Sequence, residues 1–190
     1  MEMKFNTDKI EVLHEEIGLW RIPQFFNSGL LSFVEKKILS TNFNQSEWGF
    51  VNDNPAYSEM LCSSPQTIVL NGFLQNPEMI KRVAEVTHTQ LRHVHSRVYK
   101  FVPSMGNSFD WHSDMSGTRT IGFSVNISPR PYTGGVFMIK RLDRPELQTE
   151  FQNIGYGDAI LFRISNKLRH CVSPLSGDAE RVACAGWFLS

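Results

Sequence analysis

His112-Ser113-Asp114 sets an imidazole and a carboxylate two positions apart. Alternate residues of a β-strand share a face, so both side chains can reach one ion. His170 follows 56 positions after Asp114, on another predicted strand. Two imidazoles and one carboxylate make the facial triad of non-haem Fe(II), which leaves the remaining octahedral positions open to other ligands. An H-x-D pair alone is common by chance, so the surroundings carry the weight. Arg181 stands 11 positions after His170, and a reversal through Pro174, Ser176, Gly177 and Asp178 returns it antiparallel beside the histidine. A guanidinium fork is a natural receptor for a carboxylate. Pro103 and Gly106 turn the chain ahead of His112, Gly134-Gly135 precedes an apolar strand, and Gly157-Asp158 leads into Ala159 to Phe162 and on to His170.

The elements that must position these residues change character near residue 93. From Pro23 to Leu39, Phe26, Leu30, Val34 and Ile38 recur every fourth position with Leu31 beside them, which predicts one amphipathic helix. A second helix is expected from Asn76, a good N-cap, followed by Pro77 and Glu78, with Ile80, Val83, Ala84, Thr87 and Leu91 as its buried face. Residues 41–75 are rich in Asn, Ser and Pro and include Trp48, Tyr57 and Ile68-Val69-Leu70. They predict a loop excursion with at most one strand, and 41–66 reads either as a lid over a binding site or as an ordinary surface loop.

Beyond residue 93 the period falls to two, with turn residues every eight to twelve positions. The expected strands are 94–102, 109–113, 119–128, 135–140, 147–152, 158–164, 168–173 and 181–188, the number a double-sheet jelly roll needs. In 119–128, Ile121, Phe123, Val125 and Ile127 point one way, toward the helices, while Thr120, Gly122, Ser124, Asn126 and Ser128 point the other. In the last strand Val182, Cys184 and Phe188 share one face and Arg181, Ala183, Ala185 and Trp187 the opposite one. Two alanines beside an arginine leave room for an anion. The fold class is therefore mainly β with supporting helices. It is expected as a single domain over 1–190, with 1–92 as helical support and loop and 93–190 as the β core.

Composition narrows the function classes. The 190 residues are 41% hydrophobic and 20% charged, ordinary for one compact domain with a core. Lys+Arg and Asp+Glu are both 19, so no sequence-wide attraction to nucleic acid or an anionic membrane is expected. Cys62, Cys171 and Cys184 form no C-x-x-C, which argues against a disulfide framework or thiolate zinc site and favours a reduced, cytoplasmic setting. Residues 1–16 carry acidic residues where a signal peptide needs an uninterrupted apolar core, and no apolar run approaches membrane-spanning length, so neither a signal peptide nor a membrane span is expected.

Over about residues 94–190 the sequence resembles the Fe(II)/2-oxoglutarate-dependent dioxygenases, and within them the prolyl-4-hydroxylase-like group. The resemblance rests on an ordered set: P-x-x-G, W-H-S-D, R-T-I, G-G-V-F, G-D-A-I-L-F, L-R-H-C-V-S-P-L, an arginine and a terminal W-F. It implies a double-stranded β-helix, cupin-like, with N-terminal helices packed on one sheet. His112, Asp114 and His170 would bind Fe(II), Arg181 would pair with the distal carboxylate of 2-oxoglutarate, and O2 would be the second cosubstrate. The cosubstrate contacts implied beyond Arg181 are Asn126 or Ser124 on the polar strand face, and Tyr99, although many relatives place their tyrosine closer to the P-x-x-G turn. Ala183 stands where several relatives have serine.

The implied activity is hydroxylation of an unactivated C–H in an amino acid, free or within a peptide or protein, with release of succinate and CO2. Alternatives are an oxygenase of small-molecule natural-product metabolism and a non-catalytic cupin-like binding module. A nucleic-acid demethylase of the same superfamily is disfavoured by the neutral charge and by Trp187, which stands where that group has a second arginine. The expected partner is a small-molecule, amino-acid or peptide substrate, with no nucleic acid and no membrane. His93 and His95 share a strand face with His88 nearby but lack a carboxylate at ligand spacing, so no second metal site is expected. Cys171 should face away from the triad, and Trp111 should pack to steady His112. No G-x-S-x-G or phosphate-cradling loop supports other chemistry.

Overall fold

A computed structural model describes residues 4–51, 54–61, 64–153 and 155–190, with backbone alone for 44–51 and 54–61. In chain order the elements are β1 (Glu11–His14), β2 (Leu19–Ile22), α1 (Ser28–Phe33), a π-helical turn (Val34–Ile38), β3 (Asn44–Val51), β4 (Asn54–Leu61), α2 (Pro65–Leu74), α3 (Pro77–Thr87), β5 (His93–Phe101), a 3-10 turn (Pro103–Met105), β6 (Phe109–His112), β7 (Arg119–Asn126), β8 (Thr133–Gly134), β9 (Phe137–Arg141), β10 (Gln148–Phe151), β11 (Ala159–Arg163), β12 (Leu168–Val172), β13 (Leu175–Ser176) and β14 (Arg181–Leu189). The eight strands expected beyond residue 93 are all present.

Eight strands form the larger sheet, in the order β1-β2-β11-β7-β14-β5-β4-β3, and four form the smaller, β10-β9-β12-β6. The two sheets are the layers of a double-stranded β-helix. Strand alternation divides the buried apolar residues into two clusters. Ile121, Phe123, Val125, Val182, Cys184 and Phe188 face out from the larger sheet and pack on Leu30, Val34, Leu70, Ile80 and Val83 of the helical layer. Phe101, Ile160, Phe162 and Trp187 face in and meet Phe137, Ile139, Leu168 and Val172 of the smaller sheet. The polar face expected on 119–128 is therefore the inner one.

The N-terminal half differs from expectation. The single helix over 23–39 is shortened at its start because the Asn27 side chain accepts from Leu30 N–H and caps there, while Gln24 N–H donates to Asp158 and Phe26 N–H to the Gly157 carbonyl. Its last turn widens so that Leu39 N–H reaches the Val34 carbonyl, five residues back. Leu30, Val34 and Ile38 stay buried, so the apolar stripe survives the change of helix type. Residues 41–75 are not a loop: β3 and β4 pair antiparallel and β4 adds to β5. Ile68-Val69-Leu70 lies in α2, which starts at a Ser64–Thr67 capping box with Pro65 in its first turn. Three apolar residues are too few to distinguish strand from helix. The side chains of Trp48 and Tyr57, named for a lid, and all of Cys62 lie outside the described residues. The helix at Pro77 starts as expected, capped by the Asn76 side chain, but it ends at Thr87, where His88 takes left-handed angles, so Leu91 lies beyond it. Among the described residues no helix is long and apolar enough to cross a membrane.

Candidate metal centre

The register of β6 on β12 sets His112 directly opposite His170. Their ring centroids are 4.3 Å apart. Asp114, just past the end of β6, brings Oδ1 to 3.7 Å from His112 Nε2 and Oδ2 to 3.3 Å from His170 Nε2. One ligand atom from each residue lies within 4.8 Å of the others, the group among the described residues that could hold a metal ion. The Asp110 carbonyl is 2.6 Å from His112 Nδ1. A carbonyl only accepts, so Nδ1 carries the proton and Nε2 keeps its lone pair for a metal. Phe162 and Phe137 hold the His170 ring, at centroid distances of 4.5 and 5.6 Å.

The electrostatics agree with this donor set. Burial and the neighbouring His170 push the His112 imidazole below its usual pKa, against the Asp110 carbonyl and Asp114, which favours the neutral, ligating form. Burial pushes the Asp114 carboxyl up, but His170, the Trp187 indole N–H and His112 outweigh it and hold the group below the usual carboxylate range. The indole N–H faces that carboxylate without closing a hydrogen bond of ordinary geometry, and Nε1 is buried with no partner. Two imidazoles and a carboxylate, fixed by their neighbours and open toward a cavity, fit a divalent iron.

That cavity lies between the sheets, with Tyr99, Ser124, Arg181, Ala183, Ala185 and Trp187 along the larger one. Arg181 is 7% exposed, donates from Nη2 to the Ser124 hydroxyl at 3.3 Å, and holds its guanidinium carbon 5.4 Å from the Phe101 ring centre. Among the described residues no carboxylate pairs with it. A buried cation without an anionic partner is costly. Gly135, at φ +61°, allows the approach, since a Cβ there would come 2.9 Å from Arg181 Cδ.

The structure gathers His112, Asp114, His170, Arg181 and Tyr99 around one cavity. It does not bring Asn126 with them. The Asn126 amide donates to the Gly155 carbonyl at 3.2 Å and accepts from Ser128 N–H at 3.0 Å, so it braces the turn after β7. Ser124, two residues earlier on the same face, is the polar group beside Arg181. Sequence reasoning missed the aromatic lining, Phe109, Phe137 and Phe162, although their inward alternation on expected strands was a usable signal. Cys171 is buried with its thiol pushed up to about 11, chiefly by burial, as a core residue should be. Trp111 packs under the Lys140 ammonium at 4.0 Å.

The sequence model of the 2OG-Fe(II) oxygenase superfamily matches residues 94–189, half of the chain. The chain belongs to this superfamily, and is an oxygenase that uses Fe(II), 2-oxoglutarate and O2. No curated protein matches it in sequence. In structure it is similar to an oxidoreductase of the 2OG-Fe(II) oxygenase family from Burkholderia pseudomallei, at TM-score 0.71 and 15% identity over 92% of this chain and 86% of that one. A Pseudomonas putida prolyl-4-hydroxylase is similar at TM-score 0.64 and 13% identity over 91% and 93%. The carbocyclase SnoK of nogalamycin biosynthesis, described as non-haem and alpha-ketoglutarate-dependent, is similar at TM-score 0.66 and 14% identity over 98% and 87%.

Proposed function

We propose that this oxygenase hydroxylates an unactivated C–H of an amino acid, free or within a peptide. The observation that carries the reading is Arg181, a buried cation with no carboxylate partner among the described residues, in the same cavity as two histidines and an aspartate aimed at one point. That pairing matches a cosubstrate with one chelating end and one free carboxylate. Fe(II) with 2-oxoglutarate and O2 supplies the oxidising equivalent for C–H cleavage. His112, Asp114 and His170 would hold the iron, and the Asp110 carbonyl keeps His112 in the ligating tautomer. Arg181, steadied by Ser124, would take the distal carboxylate. Phe137 and Phe162 keep water from the inner side of His170. The retained carboxylate at Asp114 favours hydroxylation over halogenation, because a halide ligand needs the place that the carboxylate occupies.

The likeness to a prolyl-4-hydroxylase supports an amino-acid or peptide substrate. The likeness to SnoK supports a second reading, an oxygenase of natural-product metabolism. The test is anaerobic: Fe(II) and then 2-oxoglutarate are added to metal-free protein, and the weak visible charge-transfer band of the chelate is followed. The band is expected in the wild type and absent in His112→Ala, Asp114→Ala and His170→Ala, whose folds are checked by circular dichroism. Arg181→Ala should keep iron and weaken 2-oxoglutarate. Succinate release in air then separates amino acids and peptides from other small-molecule substrates. Iron bound without a chelate band in the wild type refutes the proposal.

A further inference from the structure

The inner face of the larger sheet continues past the cavity floor. Trp187 pairs with His95 on β5, Ala185 with Arg97 and Ala183 with Tyr99, so His95, Arg97 and Trp187 lie on the face that carries Tyr99. Arg119, at the start of β7, lays its guanidinium carbon 3.6 Å from the Trp187 ring centre, and that of Arg97 is 5.4 Å away. The His95 ring is nearly parallel to the indole, at 7° and 5.9 Å. Burial, then Arg97 and Arg119, push the His95 imidazole down. Like charges gathered around one ring repel unless an anion joins them.

Among the described residues neither Arg97 nor Arg119 has a carboxylate partner. Trp187 adds an independent observation. It is 3% exposed and lines the cavity, and its buried indole N–H is turned toward the Asp114 carboxylate, which leaves the ring face to the two guanidiniums. The cluster adjoins the metal centre, because Arg119 Nη1 reaches the Asp114 carbonyl at 3.5 Å. It lies six residues along β14 from Arg181, roughly 20 Å of extended strand, so one cosubstrate carboxylate cannot serve both ends.

We propose that Arg97 and Arg119 bind a carboxylate of the substrate across Trp187, at the end of the cavity away from Arg181, so that the substrate is a free amino acid or a peptide with its terminal carboxyl ionised. The inference rests on the oxygenase reading above and narrows its substrate class. Guanidinium pairs suit a carboxylate, with charge-assisted bonds stronger than neutral ones. Two arginines in a chain of zero net charge do not make the extended basic track that nucleic acid requires.

The experiment uses the anaerobic Fe(II)/2-oxoglutarate protein and reads the chelate band during titration with common L-amino acids, with their carboxamides, and with tripeptides ending in the same residues. At least one acid should perturb the band, and its carboxamide should need at least about tenfold more. Arg97→Gln and Arg119→Gln should each raise the half-saturating concentration of that acid by at least about tenfold, with formation of the chelate itself unchanged. A response to free amino acids alone identifies one source of the carboxylate, and a response to tripeptides alone identifies the other. Equal potency of acids and carboxamides, no response to any acid, or unaltered titrations in both variants overturns the proposal. A variant that weakens 2-oxoglutarate rather than the acid overturns it too. Failure of the wild type to form the band shows before any probe is added; it refutes the oxygenase reading, and this inference with it.

Discussion

Replacing Arg181 with methionine separates what this residue does for the ligand from what it does for the fold. The guanidinium makes a hydrogen bond to Ser124 at 3.3 Å and lies 5.4 Å from the Phe101 ring centre. Losing them costs about 1–1.5 kcal/mol for the hydrogen bond and about 0.5–1 kcal/mol for the ring contact. Against this, the substitution removes a buried cation that no described carboxylate neutralises, and that desolvation costs several kcal/mol even after relaxation. Methionine keeps a flexible stem that can fill the space. The ligand-free variant should therefore be as stable as the wild type or up to about 2 kcal/mol more stable, a rise in Tm of at most about 4–8 °C for a chain of this size. In the wild type loaded with a redox-inert divalent metal, 2-oxoglutarate at about 100 times its Kd should add about 2.7 kcal/mol, and in the variant almost nothing. Urea unfolding without ligand, and thermal melts with and without 2-oxoglutarate, measure both quantities. A ligand-free loss of about 3–5 kcal/mol, the signature of a severed structural ion pair, would refute the reasoning, as would equal stabilisation of both proteins by 2-oxoglutarate.

Other outcomes follow from the packing. Gly122→Ala puts a methyl into the Phe162 ring, which rests against His170; overpacking costs about 1–3 kcal/mol, and calorimetry should show weaker metal binding as the ring is pushed onto the ligand. Asp158 is buried, holds Arg21 at 2.7 Å and accepts from Gln24 N–H at 2.8 Å, so Asp158→Ala should lose about 2 kcal/mol by denaturant unfolding, the half-exposed arginine softening the loss. Burial pushes the Cys171 thiol up to about 11 and that of Cys184 to about 12. In the unfolded chain both ionise near their ordinary value while in the fold they stay protonated, so stability is intact below pH 9 and falls as pH rises toward 11–12. A stability curve against pH checks the sign. Alkylation followed by mass spectrometry should find both thiols protected in the native protein at pH 8 and reactive in urea.

The candidate metal triad was legible in the sequence because its signal is local. Alternation predicted His112 and Asp114 on one strand face; β6 ends at His112 and Asp114 reaches the same point from just beyond it, while a tight turn and a buried strand announce His170. The same alternation divided 119–128 and 181–188 correctly into a helix-facing side and a cavity-facing side, because side-chain direction on a strand follows from the pleat alone. Where the signal was short, it misled. Ile68-Val69-Leu70 fits either period and became helix under the Ser64 cap, and the polar stretch before it hid the pairing of β3 with β4.

Tertiary structure decided what periodicity cannot reach. Ser124 and Asn126 point the same way from β7, and only the register of β7 on β14 and the turn at Gly155 determine that Ser124 meets Arg181 while Asn126 is spent on the backbone. Arg97 and Arg119 stand 22 positions apart in the sequence, and become a cluster only because three strands carry them to one indole. Sequence by itself determined which face each residue takes, since that depends on neighbouring backbone angles. Which residues meet across the cavity depended on strand pairing between distant segments, a balance of packing and hydrogen bonding that no local pattern records.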